Sequence, residues 1–244
     1  EYLEKIIKLL KTNMIISIIG VRRAGKSTLI RQVIKKLLES GEYRKEETLI
    51  VNFEDERFMD LNLNLLDKIW NVYISNLNPK REPIICLDEI HRIKGWERWV
   101  RTLHELGKAK IIISGSTSQL SKGELSTLLT GRHLDIFVFP LSFKEFLEFR
   151  DLKIEDKLDL ISNRTKIMNY LREYLKFGGF PEVVIVEDED VKRQILQTYF
   201  EDIIKRDIVE RYKVRKVEKL KALSKFYLTN IASPITFNSL KEFL

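Results

Sequence analysis

Short apolar runs alternate with segments of helical spacing along the first 140 residues. Between the first two runs, Leu29, Val33 and Leu37 recur at helical spacing, and Leu65–Leu77 forms a second such pattern that ends before Pro79. Short buried runs separated by helices are typical of an α/β fold. They predict a five-stranded parallel sheet with helices on both faces, in three layers. The five runs are Met14–Gly20, Thr48–Phe53, Pro83–Asp88, Lys110–Ser114 and Asp135–Phe139.

The pattern changes after Pro140, where helical spacing dominates and only Val183–Val186 is predicted to be extended. The sequence therefore predicts a core at residues 1–140, a helical second domain at residues 141–225 and the beginning of a third domain at residues 226–244. In that last segment Ser239 is a candidate helix N-cap. Because nothing follows the helix that it would open, the sequence is interpreted as a fragment.

The composition narrows the class of protein. Of the 244 residues, 44% are apolar and 32% are charged, which excludes a disordered chain and an integral membrane protein. No run approaches the ~18 apolar residues of a membrane span, and the N-terminal segment is too charged for a signal peptide. Cys86 is the single cysteine, so no internal disulfide forms. We expect a cytoplasmic protein without a membrane partner.

Residues 20–28, GVRRAGKST, match the phosphate-loop pattern G-x-x-x-x-G-K-[ST], between a predicted strand and a predicted helix. The glycines let successive backbone N–H groups face phosphate oxygens, and the helix adds its positive N-terminus. Lys26 is predicted to bind the β- and γ-phosphates and Ser27 to offer its hydroxyl to Mg²⁺. Without an Asn-Lys-x-Asp motif for guanine, ATP is the expected nucleotide. The candidate nucleotide-binding residues are Gly20, Arg23, Ala24, Gly25, Lys26, Ser27 and Thr28.

The two arginines inside this loop allow two interpretations. Arg22 and Arg23 either face the phosphates or are solvated side chains on an exposed turn. The second interpretation is slightly favoured, because the loop backbone already occupies the phosphate side. Arg23 is nevertheless kept among the nucleotide-binding candidates.

An apolar run that ends in Asp88 and Glu89 is typical of a Walker B strand. Asp88 is predicted to support Mg²⁺, and Glu89 is predicted to polarise the attacking water as a general base. A kinase that acts on a small molecule has no obvious use for Glu89, because its nucleophile comes from the substrate. The alternative for both carboxylates is an acidic turn at the end of a strand.

Two further residue types are candidates for the hydrolysis step. The fourth strand runs into hydroxyl residues, of which Ser116 is the first choice and Ser114 the second for orienting the water. Their alternative role is a helix cap. Arg132 follows a predicted helical stretch, and it could stabilise charge on the γ-phosphate of its own or a neighbouring subunit's nucleotide. Its alternative is an interaction with a helix C-terminus.

Six segments in one order carry a resemblance to a known family. The chain resembles the archaeal and bacterial AAA+ ATPases of the AAA_14 type, whose C-terminal part is the DUF4143 region. More widely it is similar to the archaeal ATPases near the Cdc6/Orc and STAND-type NTPases. The resemblance covers nearly the whole chain, and its segments are IIGVRRAGKST, ICLDEIHRIKGWE, IIISGSTSQLS, LTGRHLDIFVFPLSFKEFLEF, FGGFPEVV and YFEDIIKRDIVERY.

The resemblance implies a P-loop AAA+ core with a small helical lid, and a winged helix that begins in residues 226–244. It implies that Arg132 is a γ-phosphate or finger arginine and that Phe139–Phe143 is the hinge into the lid. It also implies that Arg206 is a lid arginine. Because a finger arginine acts on a neighbour's nucleotide, a homo-oligomer becomes a candidate assembly.

Most of the basic charge lies near the C-terminus. The formal net charge is +7, and Ile203–Lys225 carries nine Lys or Arg against three Asp or Glu, a net of +6. This segment reads as one helix, and a basic helix that leads into a winged helix would suit the phosphates of duplex DNA. The alternative is a solvated lid face with pairs such as Asp207–Arg211, since inclusion of Glu201 and Asp202 lowers the net charge to +4.

Two hypotheses of function follow from these features. In the first, an AAA+ ATPase hydrolyses ATP and uses the cycle to move its lid and C-terminal domain in association with DNA. In the second, a STAND-like switch turns over slowly, and its nucleotide state regulates a protein–protein interaction.

Overall fold

The five predicted apolar runs form one sheet in the computed structural model, which describes residues 1–116, 129 and 131–243. The strands lie in the order β2-β3-β4-β1-β5, and every neighbouring pair is parallel. The predicted five-stranded parallel sheet is confirmed, with strand ends within two residues of the predicted ones. The strands are β1 (Ile15–Gly20), β2 (Thr48–Asn52), β3 (Ile84–Asp88), β4 (Lys110–Ser116) and β5 (His133–Val138).

Helices cover both faces of this sheet, so the three predicted layers are confirmed. Successive side chains of a strand point to opposite faces. Ile16 and Ile18 of β1 therefore pack with residues of α1 and α2, whereas Ile15 and Ile19 pack with residues of α3 and α4. The four helices are α1 (Tyr2–Leu9), α2 (Lys26–Glu39), α3 (Leu63–Leu77) and α4 (Trp96–Glu105). The helical stretch predicted before Arg132 lies outside the described residues.

The chain after β5 is helical. The prediction that Val183–Val186 is extended is wrong for its first three residues, which are helical, and holds only for Val186, which follows the helix. Pro181 occupies the first position of a helix, where its fixed φ is favourable, and Val183 and Val184 are buried on that helix. Periodicity alone does not separate a short apolar strand from a buried helical turn. The helices here are α5 (Phe143–Phe149), α6 (Lys157–Ser162), α7 (Arg164–Phe177), α8 (Pro181–Ile185) and α9 (Glu189–Asp202).

The chain divides into two compact units, Glu1–Lys192 and Arg193–Leu244. The second unit is helical in its described part, but the single basic helix predicted for Ile203–Lys225 is interrupted, because Lys213 has a φ of 51°. Its elements after α9 are a π-helical segment at Ile203–Val209, α10 (Glu210–Tyr212), α11 (Val217–Thr229) and α12 (Phe237–Phe243).

The predicted N-cap at Ser239 is wrong, because Ser239 lies inside α12. Thr236 precedes the helix, and its Oγ1 accepts a hydrogen bond of 3.2 Å from the backbone N–H of Ser239. The domain boundaries predicted at residues 140 and 225 stay predictions. Within the part of the chain that the structure describes, no helix is both long and apolar enough to cross a membrane.

Candidate functional site

The predicted phosphate loop and the Walker B carboxylates meet at the carboxyl edge of the sheet. Gly20 at the end of β1 lies opposite Ser116 of β4, and Asn52 at the end of β2 lies opposite Asp88 of β3. Crevices outside the carboxyl ends of parallel strands are the usual ligand sites of open α/β sheets. The topology therefore brings residues that are far apart in sequence to one candidate site.

The loop between β1 and α2 has a backbone suited to phosphate. A Cβ atom on Gly20 would lie 2.2 Å from a carbonyl oxygen of β5, so no side chain fits there. Gly25 has a φ of 97°, a value that other residues rarely adopt, and α2 begins at the next residue. Ala24 is buried, and Ser27 (half-buried) and Thr28 (exposed) lie in the first turn of α2. This arrangement suits an anion at the helix N-terminus.

Lys26 stands between the phosphate loop and the Walker B strand. Its side chain is only 5% exposed, and its Nζ donates to the carbonyl oxygens of Gly20 at 3.1 Å and Val21 at 3.2 Å. The same Nζ lies 3.8 Å from Oε1 of Glu89. A buried ammonium needs such partners, because removal of a charge from water is unfavourable.

Glu89 has an unusual backbone and an unusual charge environment. It follows β3 in the left-handed conformation, with a φ of 55°. Its buried Oε2 lies 3.4 Å from Nδ1 of His91 and makes no hydrogen bond within the described part of the chain. Burial is the main cause that raises the pKa of Glu89 to about 7; Lys26 lowers it, while Glu54 and Asp88 raise it. A carboxylate with a pKa near neutrality is well matched to accept a proton from water near pH 7.

Asp88 is fixed by a serine of the neighbouring strand. Ser114 Oγ donates a hydrogen bond to Oδ1 of Asp88 and accepts one of 3.3 Å from the backbone N–H of Glu89. Ser114, the second choice from sequence, therefore contacts both Walker B residues. Ser116, the first choice, is buried at the end of β4 beside Gly20, and its role in orienting water stays a prediction.

The oxygen atoms at this edge fit a Mg²⁺ ion. Asp88 supplies a buried carboxylate and Ser27 a half-buried hydroxyl in the first turn of α2. Mg²⁺ prefers oxygen ligands, and in nucleotide sites it is held by one or two protein groups together with waters and substrate phosphates. Both groups are of the type that Mg²⁺ prefers, and the roles of Ser27 and Asp88 as its ligands stay predictions.

The structure corrects the interpretation of Arg22 as a solvated side chain. Its side chain is 17% exposed, and its Nη1 donates to Oε1 of Glu54 at 3.2 Å. Sequence analysis misses Glu54, although a signal exists: Glu54 follows β2 closely, and all parallel strands of this sheet end at the same edge. Arg23 differs, since it is 54% exposed.

Arg132 lies at the opposite edge of the sheet. Its carbonyl oxygen accepts a hydrogen bond of 2.8 Å from Ile15 at the start of β1, and its Nη2 lies 3.0 Å from Oε1 of Glu105. The length of β1 separates this level from Gly20 by about 16 Å, at ~3.3 Å per residue, which exceeds the reach of an arginine. The interpretation that Arg132 contacts the γ-phosphate of its own nucleotide is therefore wrong. Its action on a neighbouring subunit stays a prediction.

Helix α8 contacts the phosphate loop. A Cβ atom on Gly25 would lie 3.8 Å from Cγ of Pro181, and Nη1 of Arg23 lies 3.9 Å from Oε2 of Glu182. The first turn of α8 thus lies beside the loop and forms an ion pair with it. Sequence analysis does not anticipate this contact between the loop and the helical region.

Comparison with known families gives two matches. The AAA_14 family model, described as an AAA domain, matches residues 12–147. DUF8612, a domain of unknown function, matches residues 168–244. The C-terminal match is therefore to DUF8612 and not to the DUF4143 region that the resemblance implies.

Two curated relatives are similar along 95% of the chain. An uncharacterised protein of Methanocaldococcus jannaschii is 36% identical over 235 residues, and one of Haemophilus influenzae is 33% identical over 231 residues. These alignments cover 51% and 55% of the relatives, so the chain spans about half the length of the curated relatives it matches. A solved Walker-type ATPase of Pyrococcus abyssi matches 99% of this chain and 87% of its own, with a TM-score of 0.54 and 16% identity. That likeness concerns the fold alone.

Proposed function

Because the chain belongs to the AAA_14 family of AAA domains, we propose that it binds ATP with Mg²⁺ and hydrolyses it at the carboxyl edge of the sheet. The observation that carries the proposal is the approach of Lys26 Nζ to Glu89 Oε1, at 3.8 Å in a buried setting. A lysine that binds the γ-phosphate and a base that activates water must converge on the same phosphorus, and these two side chains meet that requirement.

Each residue has a defined role in the proposed hydrolysis. The loop N–H groups and Lys26 bind and orient the phosphates. Ser27 and Asp88 would hold Mg²⁺, which neutralises charge on the β- and γ-phosphates. Glu89 accepts a proton from water while the water oxygen bonds to the γ-phosphorus, and Ser116 orients that water. The bond from this phosphorus to the bridging oxygen breaks, and its electron pair leaves with ADP.

We propose further that nucleotide state is coupled to the helical region. Gly179, just before α8, is packed on the predicted hinge: its carbonyl oxygen accepts a hydrogen bond of 2.7 Å from the N–H of Leu141. A Cβ atom on Gly179 would lie 2.0 Å from the carbonyl oxygen of Leu141, so the two backbones are in tight contact. Because α8 also abuts the phosphate loop, a ligand that moves the loop would displace a segment anchored at the hinge.

The same contact favours a STAND-like switch as the second candidate. The ion pair between Arg23 and Glu182 has to rearrange if a phosphate attracts Arg23, and such an exchange does not require fast hydrolysis. In this candidate the nucleotide regulates a protein–protein interaction and turnover is slow. A low basal rate that duplex DNA leaves unchanged would favour it.

In the first candidate function, the ATPase also associates with duplex DNA. The net charge of +6 on Ile203–Lys225 supports a contact with phosphates, and we propose that residues 226–244 open a winged helix beside it in sequence. ATPase rates with and without duplex DNA, at two salt concentrations, test it. Stimulation that disappears at high salt is expected, and its absence at both concentrations would favour the switch.

Assembly into a homo-oligomer is the remaining part of the proposal. Arg132, on the amino edge of the sheet, would then act on the nucleotide of a neighbouring subunit. Size measurement with a non-hydrolysable ATP analogue is expected to reveal a larger species than the protein without nucleotide. An unchanged size would remove Arg132 from the hydrolysis step.

Replacement of the general base tests the central claim. Glu89→Gln is expected to bind ATP normally and to lose turnover about 10²–10⁴-fold, since the amide cannot take the proton. Lys26→Ala is expected to weaken ATP binding itself. Glu39→Gln, at an exposed position of α2, is the control and should match wild type. Wild-type hydrolysis by Glu89→Gln would refute the assignment.

A further inference from the structure

The phosphate loop carries two adjacent arginines in different surroundings. Arg23 is mostly exposed, whereas the Arg22 side chain is largely buried and donates from Nη1 to Oε1 of Glu54 at 3.2 Å. A long charged side chain on a turn normally keeps its head in water. The burial of the Arg22 side chain is therefore unusual, and the contacts that hold it need to be identified.

Glu54 stands on a fixed piece of backbone. The N–H of Phe53 donates to the carbonyl oxygen of Asp88 at 3.0 Å, and the N–H of Glu54 donates to Oδ1 of Asn52 at 2.9 Å. The turn after β2 is thereby tied to the end of β3. Glu54 consequently holds Arg22 at the same edge of the sheet as the Walker B carboxylates.

Arg22 is held at the same edge of the sheet as the proposed base. Lys26 Nζ donates to the carbonyl oxygen of Val21, the residue before Arg22, at 3.2 Å, and the same Nζ lies 3.8 Å from Oε1 of Glu89. The turn that carries Glu54 is itself bonded to the backbone of Asp88, the residue before Glu89. Lys26, Arg22 and Glu89 therefore belong to one region next to the phosphate loop.

We propose that Arg22 is a catalytic residue that acts in cis on the γ-phosphate, and that Glu54 positions it. The inference rests on the proposed hydrolysis of ATP. As water attacks, the Arg22 guanidinium stabilises the charge that develops on the phosphate oxygens, while Glu89 takes the proton and the electron pair of the broken P–O bond leaves with ADP. A guanidinium has five N–H donors, so a bond to Glu54 is compatible with another to a phosphate oxygen.

This assignment supplies within one subunit the cation that Arg132 cannot supply. Arg132 lies at the amino edge of the sheet, about 16 Å of strand away from the loop. Arg22 is part of the loop itself. A subunit with Arg22 thus has a basal activity that does not depend on a neighbour.

Single-turnover hydrolysis by Arg22→Ala, with the Kd for ADP measured in parallel, is the direct test. The rate is expected to fall about 100-fold or more, the effect of removing one preorganised donor from a developing charge. The Kd for ADP is expected to change less than about threefold, because ADP lacks the γ-phosphate that Arg22 contacts. Arg22→Lys is expected to stay at least about tenfold below wild type, because an ammonium lacks the planar fork.

Glu54→Gln tests the positioning role. We expect kcat to fall about tenfold with little change in KM, and the double variant Arg22→Ala/Glu54→Gln to be no slower than Arg22→Ala. Non-additivity is expected because the proposed contribution of Glu54 to the rate is to hold Arg22 in place. The matched control is the ion pair of exposed Arg57 with half-buried Asp55 in the same turn, where Arg57→Ala and Asp55→Asn should keep the wild-type rate.

The outcomes separate this inference from the proposed function. If the wild type does not hydrolyse ATP and Lys26→Ala binds ATP as tightly as wild type, the proposed function itself fails. If the wild type hydrolyses ATP and Arg22→Ala has the same single-turnover rate, only the role of Arg22 is overturned. Losses that multiply in the double variant overturn the role of Glu54. Equal thermal midpoints establish that each variant is folded, and Arg22→Lys replaces Arg22→Ala if the latter does not fold.

Discussion

Two glutamates that stand beside a buried lysine differ in how their charge is satisfied. Glu173 of α7 accepts at Oε1 from Nη2 of Arg150 at 2.5 Å and from Nζ of Lys192. Glu89 has the Lys26 ammonium 3.8 Å from Oε1 and Nδ1 of His91 3.4 Å from Oε2, and within the described residues its Oε2 makes no hydrogen bond. The first carboxylate is hydrogen-bonded to two cations, whereas the neighbours of the second lie farther away.

Aromatic rings complete the first arrangement, which we call the helical cluster (Arg150, Glu173 and Lys192). Lys192 Nζ lies 5.0 Å from the ring centre of Phe177, and the Arg150 guanidinium lies 5.7 Å from that of Phe146. Rings at such distances stabilise cations. The three charged groups of the helical cluster therefore contact one another or an aromatic ring. Within the described residues, Arg150 Nε is a buried atom of this cluster without a hydrogen bond.

The second arrangement contains the proposed base, and we call it the catalytic cluster (Lys26, Asp88 and Glu89). Lys26 donates hydrogen bonds to backbone carbonyl oxygens and lies 3.8 Å from the Glu89 carboxylate, and Glu89 is buried in a strained backbone conformation. Perturbed and under-satisfied groups of this kind concentrate at functional sites. The difference teaches that charge pairing in the helical cluster favours stability, while the catalytic cluster, under the proposed function, gives up stability for binding and chemistry.

Removal of the carboxylate from the helical cluster should have the largest effect on stability. Glu173→Ala leaves two buried or half-buried cations without their shared partner, and we expect a loss of about 3–5 kcal/mol in the free energy of unfolding. Urea unfolding at neutral pH measures it. The control Glu39→Ala removes an exposed pair with Lys35 and should change that free energy by no more than about 1 kcal/mol. An equal loss of unfolding free energy in Glu173→Ala and Glu39→Ala would show that the helical cluster contributes no more to stability than an exposed ion pair.

Removal of the carboxylate charge from the catalytic cluster should instead increase the free energy of unfolding. The folded protein raises the pKa of Glu89 from 4.5 to about 7, so the folded state binds this proton more tightly than the unfolded state does. This tighter proton binding adds about 3 kcal/mol to the free energy of unfolding below pH 4.5, and the added stability is lost as the pH rises through 7. Glu89→Gln cannot ionise, and without nucleotide it is therefore expected to be more stable than wild type above pH 7.

Urea unfolding of both proteins at about pH 4.5 and pH 8.5, without nucleotide, measures this difference. The advantage of Glu89→Gln over wild type should be largest at the higher pH and should shrink toward the lower one. Glu39→Gln serves as the control, with no such trend. A variant that is less stable than wild type at the higher pH would mean that ionised Glu89 stabilises the fold, and the comparison of the two clusters would not hold.

The sheet and the phosphate loop could be predicted from sequence because their signals are local. Parallel strands buried on both faces read as continuous apolar runs, and the loop motif fixes the identity of Lys26 and Ser27 by spacing alone. The pairs that define the site depend on which strands are neighbours. Ser114 contacts Asp88 because β4 lies beside β3, an order that no local pattern encodes.

Other misses have different physical causes. Val183 and Val184 form an apolar run too short for periodicity to separate strand from helix. The sequence could have predicted the edge of the sheet at which Arg132 lies. A residue just before a parallel strand lies at the amino edge, and a loop that follows such a strand lies at the carboxyl edge. The same rule could have predicted that Glu54 lies near the phosphate loop, since Glu54 follows a strand.

Arg132 lies at the amino edge of the sheet, and its replacement is expected to have the smallest effect on the rate of ATP hydrolysis. It shares Glu105 with Arg101, on an exposed surface far from the catalytic cluster. In dilute protein Arg132→Ala is therefore expected to hydrolyse ATP at the wild-type rate. If Arg132 acts on a neighbour's nucleotide, wild-type turnover per chain rises with protein concentration while that of Arg132→Ala stays flat. A slower variant at the lowest concentration would bring Arg132 into its own subunit's site, against the geometry of the two sheet edges.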